Sequence, residues 1–76
     1  MRLVDTIKVI DSWVLSIGME QPVTIIKLTK NAPNTYWHNV LVDDDLLETL
    51  YMTGGRLDMC AVKGSHNLTG KEVSFI

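Results

Sequence analysis

Two tryptophans, Trp13 and Trp37, and a thin set of cations, Lys8, Lys27, Lys30, Arg56, Lys63 and Lys71, are the side chains best suited to one shared chemistry. An exposed indole gives a nucleobase a flat surface to stack on, worth about 1–3 kcal/mol per base, and neighbouring cations neutralise the phosphates. That is non-enzymatic binding of single-stranded nucleic acid, DNA or RNA. Each group also has a plainer use. Trp13 alternates with Ile7, Val9 and Leu15, the spacing of a core residue. Trp37 shares its parity with Thr35 and Asn39, which leaves it open to solvent or core. Lysines on strands also serve as solvated residues that discourage edge-to-edge aggregation.

Catalytic constellations are harder to assemble. His38 has the parity of Val40 and Val42 and reads as a satisfied wall residue, while His66 lies in a polar loop and reads as exposed. Cys60 sits in the apolar run LDMCAV and reads as a core thiol. A Cys60/His pair lacks an adjacent glycine-rich turn or oxyanion hole. No phosphate loop, zinc-ligand spacing or H-E-x-x-H occurs. The expectation is a protein that is not an enzyme and holds no metal or cofactor.

The elements that must position these residues are short. Seventy-six residues make a single domain, 1–76, and a 46% hydrophobic fraction fits a packed core rather than a disordered chain. The net charge of −2 provides no global field for polyanions, so any phosphate contact must be local. Residues 3–17, 22–30 and 35–42 carry strand-type composition, with a bend expected in the long first run at Asp11-Ser12. Gly18 supplies a positive φ for the next turn, and Pro22 suits a strand's first residue. The second run is apolar on both faces: Thr24, Ile26 and Leu28 on one, Val23 and Ile25 on the other.

Residues 44–53 change period. Asp43 or Asp44 reads as a helix cap, the acidic cluster Asp43-Asp44-Asp45 meets the positive end of the dipole, and Gly54-Gly55 ends the helix. Leu46, Leu47, Leu50 and Tyr51 then plug a barrel end. Residues 56–63 and 71–76 return to strand character as a hairpin around the loop 64–70. The β-β-β-α-β-β order is that of a small five-stranded, partly open OB-like barrel, mainly β, with one short helix between strands three and four. An SH3-like barrel shares the short strands and differs mainly in lacking that helix.

The stretch Thr35-Tyr36-Trp37-His38-Asn39-Val40-Leu41-Val42, followed by the helical run, Gly54-Gly55 and Arg56 to Gly64, resembles the middle of bacterial-type single-stranded DNA-binding proteins. The likeness covers roughly 30 residues, and its specific marks are Trp37-His38 and the glycine punctuation. It implies that Trp37 stacks a base. It also places Asn39 where the family pattern has an arginine, and the basic residues usual on the first strand and long hairpin are sparse. A cut-down relative, of the kind found in phages, plasmids or replication restart, fits better than a housekeeping binder. The residues expected to bind nucleic acid are thus Trp37, Asn39, Lys27, Lys30, Arg56, Lys63 and Trp13.

A second hypothesis is a protein-interaction adaptor, using strand addition or an apolar groove. The excess of acids over bases favours it. The terminal strand KEVSFI, with Val73, Phe75 and Ile76, reads as an edge paired across a two-fold axis, so a homodimer or higher oligomer is expected. No run reaches the roughly 20 apolar residues of a membrane-spanning helix. The regularly charged N-terminus does not read as a signal peptide, and a lone cysteine fits a reducing, cytoplasmic location.

Overall fold

The computed structural model describes residues 6–16, 18, 20–32, 38–50 and 57–76. Within them lie six strands: β1 (Thr6–Leu15), β2 (Val23–Leu28), β3 (Val40–Val42), β4 (Asp45–Leu47), β5 (Met59–Lys63) and β6 (Glu72–Phe75). All pairings are antiparallel, in the order β4-β3-β6-β1-β2-β5.

β1 divides its length between two neighbours. Thr6–Lys8 pairs with β6, and Val9–Leu15 pairs with β2. The change falls at a bulge between Val9 and Asp11, where Ile10 has no ladder partner on β2. One extra residue reverses side-chain parity. Ile7 and Val9 therefore enter the core, whereas Trp13 and Leu15, of the same sequence parity, leave it. The bend expected at Asp11-Ser12 is thus a bulge one or two residues earlier, and the core assignment of Trp13 is corrected by it.

The expected helix is replaced by a hairpin. Asp43 and Asp44 take positive φ, 48° and 71°, between the paired residues Val42 and Asp45. Two central residues with positive φ make the tight reversal whose twist matches antiparallel strands, and aspartate tolerates that region better than most residues. The acidic cluster is a turn rather than a cap, and Asp45–Leu47 is strand. Residues 51–56, including Tyr51, Gly54, Gly55 and Arg56, lie outside the described residues. The anticipated leucine plug is dispersed: Leu46 is exposed, Leu47 packs on the main core, and Leu50 packs on a second cluster.

The expected five-stranded, partly open barrel is also corrected: the described strands form one open ladder of six. Residues 48–50 turn away from β3 and run beside β5. Thr49 bridges Val62, Lys63 N–H donates to the Glu48 carbonyl at 2.9 Å, and Leu50 N–H donates to the Ala61 carbonyl at 2.9 Å. An isolated bridge, not a strand ladder, brings the sheet's two ends together.

The core joins Ile7, Val9, Ile26, Leu28, Val40, Val42, Cys60, Val62, Leu68, Val73 and Phe75. Each large side chain there contributes on the order of 1.5–3 kcal/mol by leaving water. Leu68 comes from the 64–70 segment, which was expected to turn a hairpin. It instead crosses between strands that are not neighbours, since β5 pairs with β2 while β6 lies between β1 and β3. The terminal strand is accordingly no edge, and Val73 and Phe75 are buried. Among the described residues no helix is long and apolar enough to cross a membrane.

Candidate binding face

β2 is apolar on both faces, and its second face builds a surface away from the core. The registers set three rows across β1, β2 and β5: Asp11–Lys27–Met59, Trp13–Ile25–Ala61 and Leu15–Val23–Lys63. Direct cross-strand partners share a face. Val23, Ile25 and Ala61 are buried there, with Leu50 and Met59 packed against them. Trp13 and Leu15 stay 39% and 46% exposed, so an indole stands partly in solvent at the margin of an apolar floor.

Three expected binding residues, Trp13, Lys27 and Lys63, therefore come together on one face. Lys27 sits one row from Trp13 on the adjacent strand, and Lys63 lies one row to the other side on the strand beyond. Lys30, in the turn after β2, is exposed. Asn39 belongs to the other half of the sheet, where its backbone N–H and C=O exchange hydrogen bonds with Ile76, each at 2.9 Å. Trp37 and Arg56 lie outside the described residues.

Acids attend these cations. Lys63 Nζ lies 3.1 Å from Glu48 Oε1, and Lys71 Nζ donates to Asp43 Oδ2 at 2.7 Å. The latter hydrogen bond, and the Coulombic attraction of Asp43, raise the Lys71 pKa. Lys27 stands opposite Asp11 in the register, and Lys8 opposite Glu72. Ion pairs this exposed are weak, typically about 0–1 kcal/mol, so a phosphate can displace the carboxylate at small cost.

The margin of the face is a strand edge. Leu28 N–H donates to the Asp58 carbonyl, on the β5 side of β2. Alternation along β2 then turns Lys27, Ile25 and Val23 toward β1, and makes Asp11, Trp13 and Leu15 their bonded partners. Ser12 and Val14 consequently point their backbone N–H and C=O groups away from β2. The Ser12 N–H is taken by Asp11 Oδ1 at 2.9 Å. The Ser12 hydroxyl accepts Leu68 N–H at 3.1 Å and lies 3.0 Å from Thr69 Oγ1. Beyond Ser12, no strand among the described residues covers this edge. Sequence reasoning missed the edge, although Asp11, breaking an otherwise apolar alternation, marked the bulge that creates it.

The remaining chemical groups have structural partners. Thr24 is fully buried; its hydroxyl donates to the Gly64 carbonyl at 2.7 Å and accepts His66 N–H at 3.0 Å. His66, half-buried rather than exposed, sets Nε2 3.0 Å from the Lys63 carbonyl. His38 departs from its expected role as a satisfied wall residue, since among the described residues its buried Nδ1 has no hydrogen-bond partner. Cys60 is buried, and desolvation pushes its thiol up to about 12. A depression of about 320 Å³ between the Asp43-Asp44 turn and the 65–68 loop is lined by Asp45, His66, Asn67 and Lys71 among others. Among the described residues, no three His, Cys, Asp or Glu side chains converge to hold a metal ion. Comparison with known protein families, with curated proteins and with solved structures returns no match to this chain.

Proposed function

We propose that this domain is a non-catalytic binder of single-stranded nucleic acid, and that its working surface is the β1-β2-β5 face. The observation that carries the reading is the meeting of Trp13, Lys27 and Lys63 on that one face. Trp13 stacks a base, Leu15 and Met59 extend the apolar floor, and the two lysines take the neighbouring phosphates. Stacking supplies most of the affinity because Lys63 must first leave Glu48 and Lys27 stands across from Asp11 in the register. Binding is therefore tolerant of sequence and only shallowly dependent on salt.

Titration with dT oligomers of graded length at low salt, followed by tryptophan emission in a Trp37→Phe background, tests this directly. Saturable quenching is expected. Trp13→Ala should lose on the order of 1–3 kcal/mol of affinity, and Lys27→Ala less. Absence of binding at high micromolar protein sinks the proposal, and unchanged binding in Trp13→Ala moves the site elsewhere.

A second reading, a protein-interaction adaptor, is favoured by a separate observation. Lys8, Lys27, Lys63 and Lys71 each face an acid, while Ile10, Trp13, Val14 and Leu15 are exposed along one half of β1. A segment with apolar side chains on both faces and outward backbone groups suits strand addition better than phosphate binding.

A further inference from the structure

We infer that the edge of β1 beyond Ser12, which no described strand covers, receives a second copy of this chain, antiparallel, on a two-fold axis at Val14. The inference stands on backbone direction and side-chain order, and does not rest on the nucleic-acid reading.

Three observations lead to it. First, Val14 turns its N–H and C=O outward, at the centre of an edge that the 68–71 segment covers only as far as Ser12. Outward backbone groups on an edge strand are a template for another strand. Second, Trp13, Val14 and Leu15 are 39%, 40% and 46% exposed on successive sides of this strand, so both faces of the edge are apolar. Third, the sequence around Val14 is self-complementary in one register.

An antiparallel pair keeps like faces together only when the two residue numbers sum to an even value. A sum of 28 places Val14 opposite Val14 of the second copy, Trp13 opposite its Leu15, and Leu15 opposite its Trp13. Aromatic–aliphatic cross-strand pairs of this kind contribute roughly 0.2–1 kcal/mol each. Ser12 then faces Ser16, the last described pair, and position 17, which the register sets opposite Asp11, lies outside the described residues. The neighbouring register, summing to 26, sets Trp13 against itself and Asp11 against Leu15, burying a carboxylate beside an apolar side chain. The register summing to 24 sets Asp11 against Trp13. Of these three registers, the one centred on Val14 holds Asp11 farthest from the described apolar pairs and does not rely on the Ser12 N–H, already taken by Asp11, at its centre.

The self-capping of Ser12 N–H by Asp11 limits the ladder's length at each end. Two copies related this way share one continuous sheet and present both Trp13 faces on the same side. A seam of residues 12–16 from each copy is small beside the roughly 800 Å² per partner of stable complexes. A reversible dimer follows, not an obligate one.

Two measurements test the axis. Sedimentation across a wide concentration range should show the mean mass rising from 8.5 kDa toward twice that value. Val14→Lys, which sets two like charges face to face, should hold it at the monomer while leaving the circular dichroism unchanged. The second measurement is covalent. In a hydrogen-bonded antiparallel pair the Cα atoms stand about 5.5 Å apart, within disulfide reach. Val14→Cys should oxidise to a 14–14 dimer in which two thiols lose two electrons and two protons to added oxidised glutathione, which is reduced in turn. Ile10→Cys, exposed but off the register, should not, and the buried Cys60 serves as the unreactive background. A constant 8.5 kDa mass at every concentration overturns the proposal. So does an undiminished dimer in Val14→Lys, or equal cross-linking at positions 10 and 14. Nucleic-acid titration of the monomeric variant reads the other proposal separately.

Discussion

Glu48 is held to Lys63 twice: its carbonyl accepts the Lys63 N–H at 2.9 Å, and its carboxylate Oε1 lies 3.1 Å from the ammonium of the same residue. The backbone bond belongs to the contact that brings β4's end of the sheet to β5. The side-chain pair occupies one of the two lysines on the Trp13 face. On the proposed function, Glu48 and a bound phosphate would therefore compete for a single cation.

Glu48→Ala separates those roles. The backbone bond survives, and loss of a half-exposed ion pair should cost less than about 1 kcal/mol in urea denaturation. Lys63 is then free for phosphate. Affinity for dT oligomers should rise, and the log–log salt slope should steepen by about 0.7, the value for one further contact on a single strand. Unchanged affinity and an unchanged salt slope would show that Lys63 takes no part in binding.

Asp44→Gly distinguishes the turn from the helix that composition suggests. Asp44 holds φ at 71°, where glycine carries no Cβ penalty. Relief of that strain should stabilise the domain by about 0.5–1 kcal/mol, read as a higher midpoint of thermal unfolding. A helix at this position would instead lose roughly 1 kcal/mol. Keeping Asp43 preserves its bond to Lys71.

Strand-type composition was legible wherever alternation and turn chemistry agreed. The two-faced second run became β2 with both faces buried, and Gly18 takes the positive φ its turn needs. Two features escaped sequence reasoning for physical reasons. Asp-Asp serves equally as a helix N-terminus and as a left-handed turn, and only the tertiary pairing of Val42 with Asp45 decides between them. Parity across a bulge cannot be counted until the bulge is located, so Trp13 read as core beside Val9. The grouping of Trp13 with Lys27 and Lys63 was equally hidden, because it depends on which strands are neighbours. Composition suggested β5 beside β6, whereas β2 separates β5 from β1.

Thr24, fully buried, ties β2 to the segment that delivers Leu68. Thr24→Val keeps the volume but leaves the Gly64 carbonyl and the His66 N–H without their partner. Unsatisfied groups of this kind cost about 1–3 kcal/mol. Thr24→Ser keeps both bonds and loses a single methyl, about 0.8 kcal/mol. Urea denaturation should therefore rank serine above valine, and the reverse order would show that packing, not hydrogen bonding, holds the segment.

Cys60 sets the alkaline limit. Burial raises its thiol from 9.0 to about 12 in the folded chain, so the unfolded chain loses its proton first. Between those values the folded state binds more protons than the unfolded state. Stability is then fully present below pH 9.0 and falls as pH rises toward about 12, with a slope approaching 1.4 kcal/mol per pH unit. Lys71, raised by its hydrogen bond to Asp43, acts in the same direction above the ordinary lysine value near 10.4. The interval from pH 9 to 10 isolates the thiol. Urea denaturation there should show stability falling with pH in the native sequence and a flatter response in Cys60→Ala. Ellman's reagent should find Cys60 unreactive when folded and reactive in denaturant. Parallel slopes in the two proteins, or rapid reaction of the folded chain, would show that the thiol is not sealed in the core.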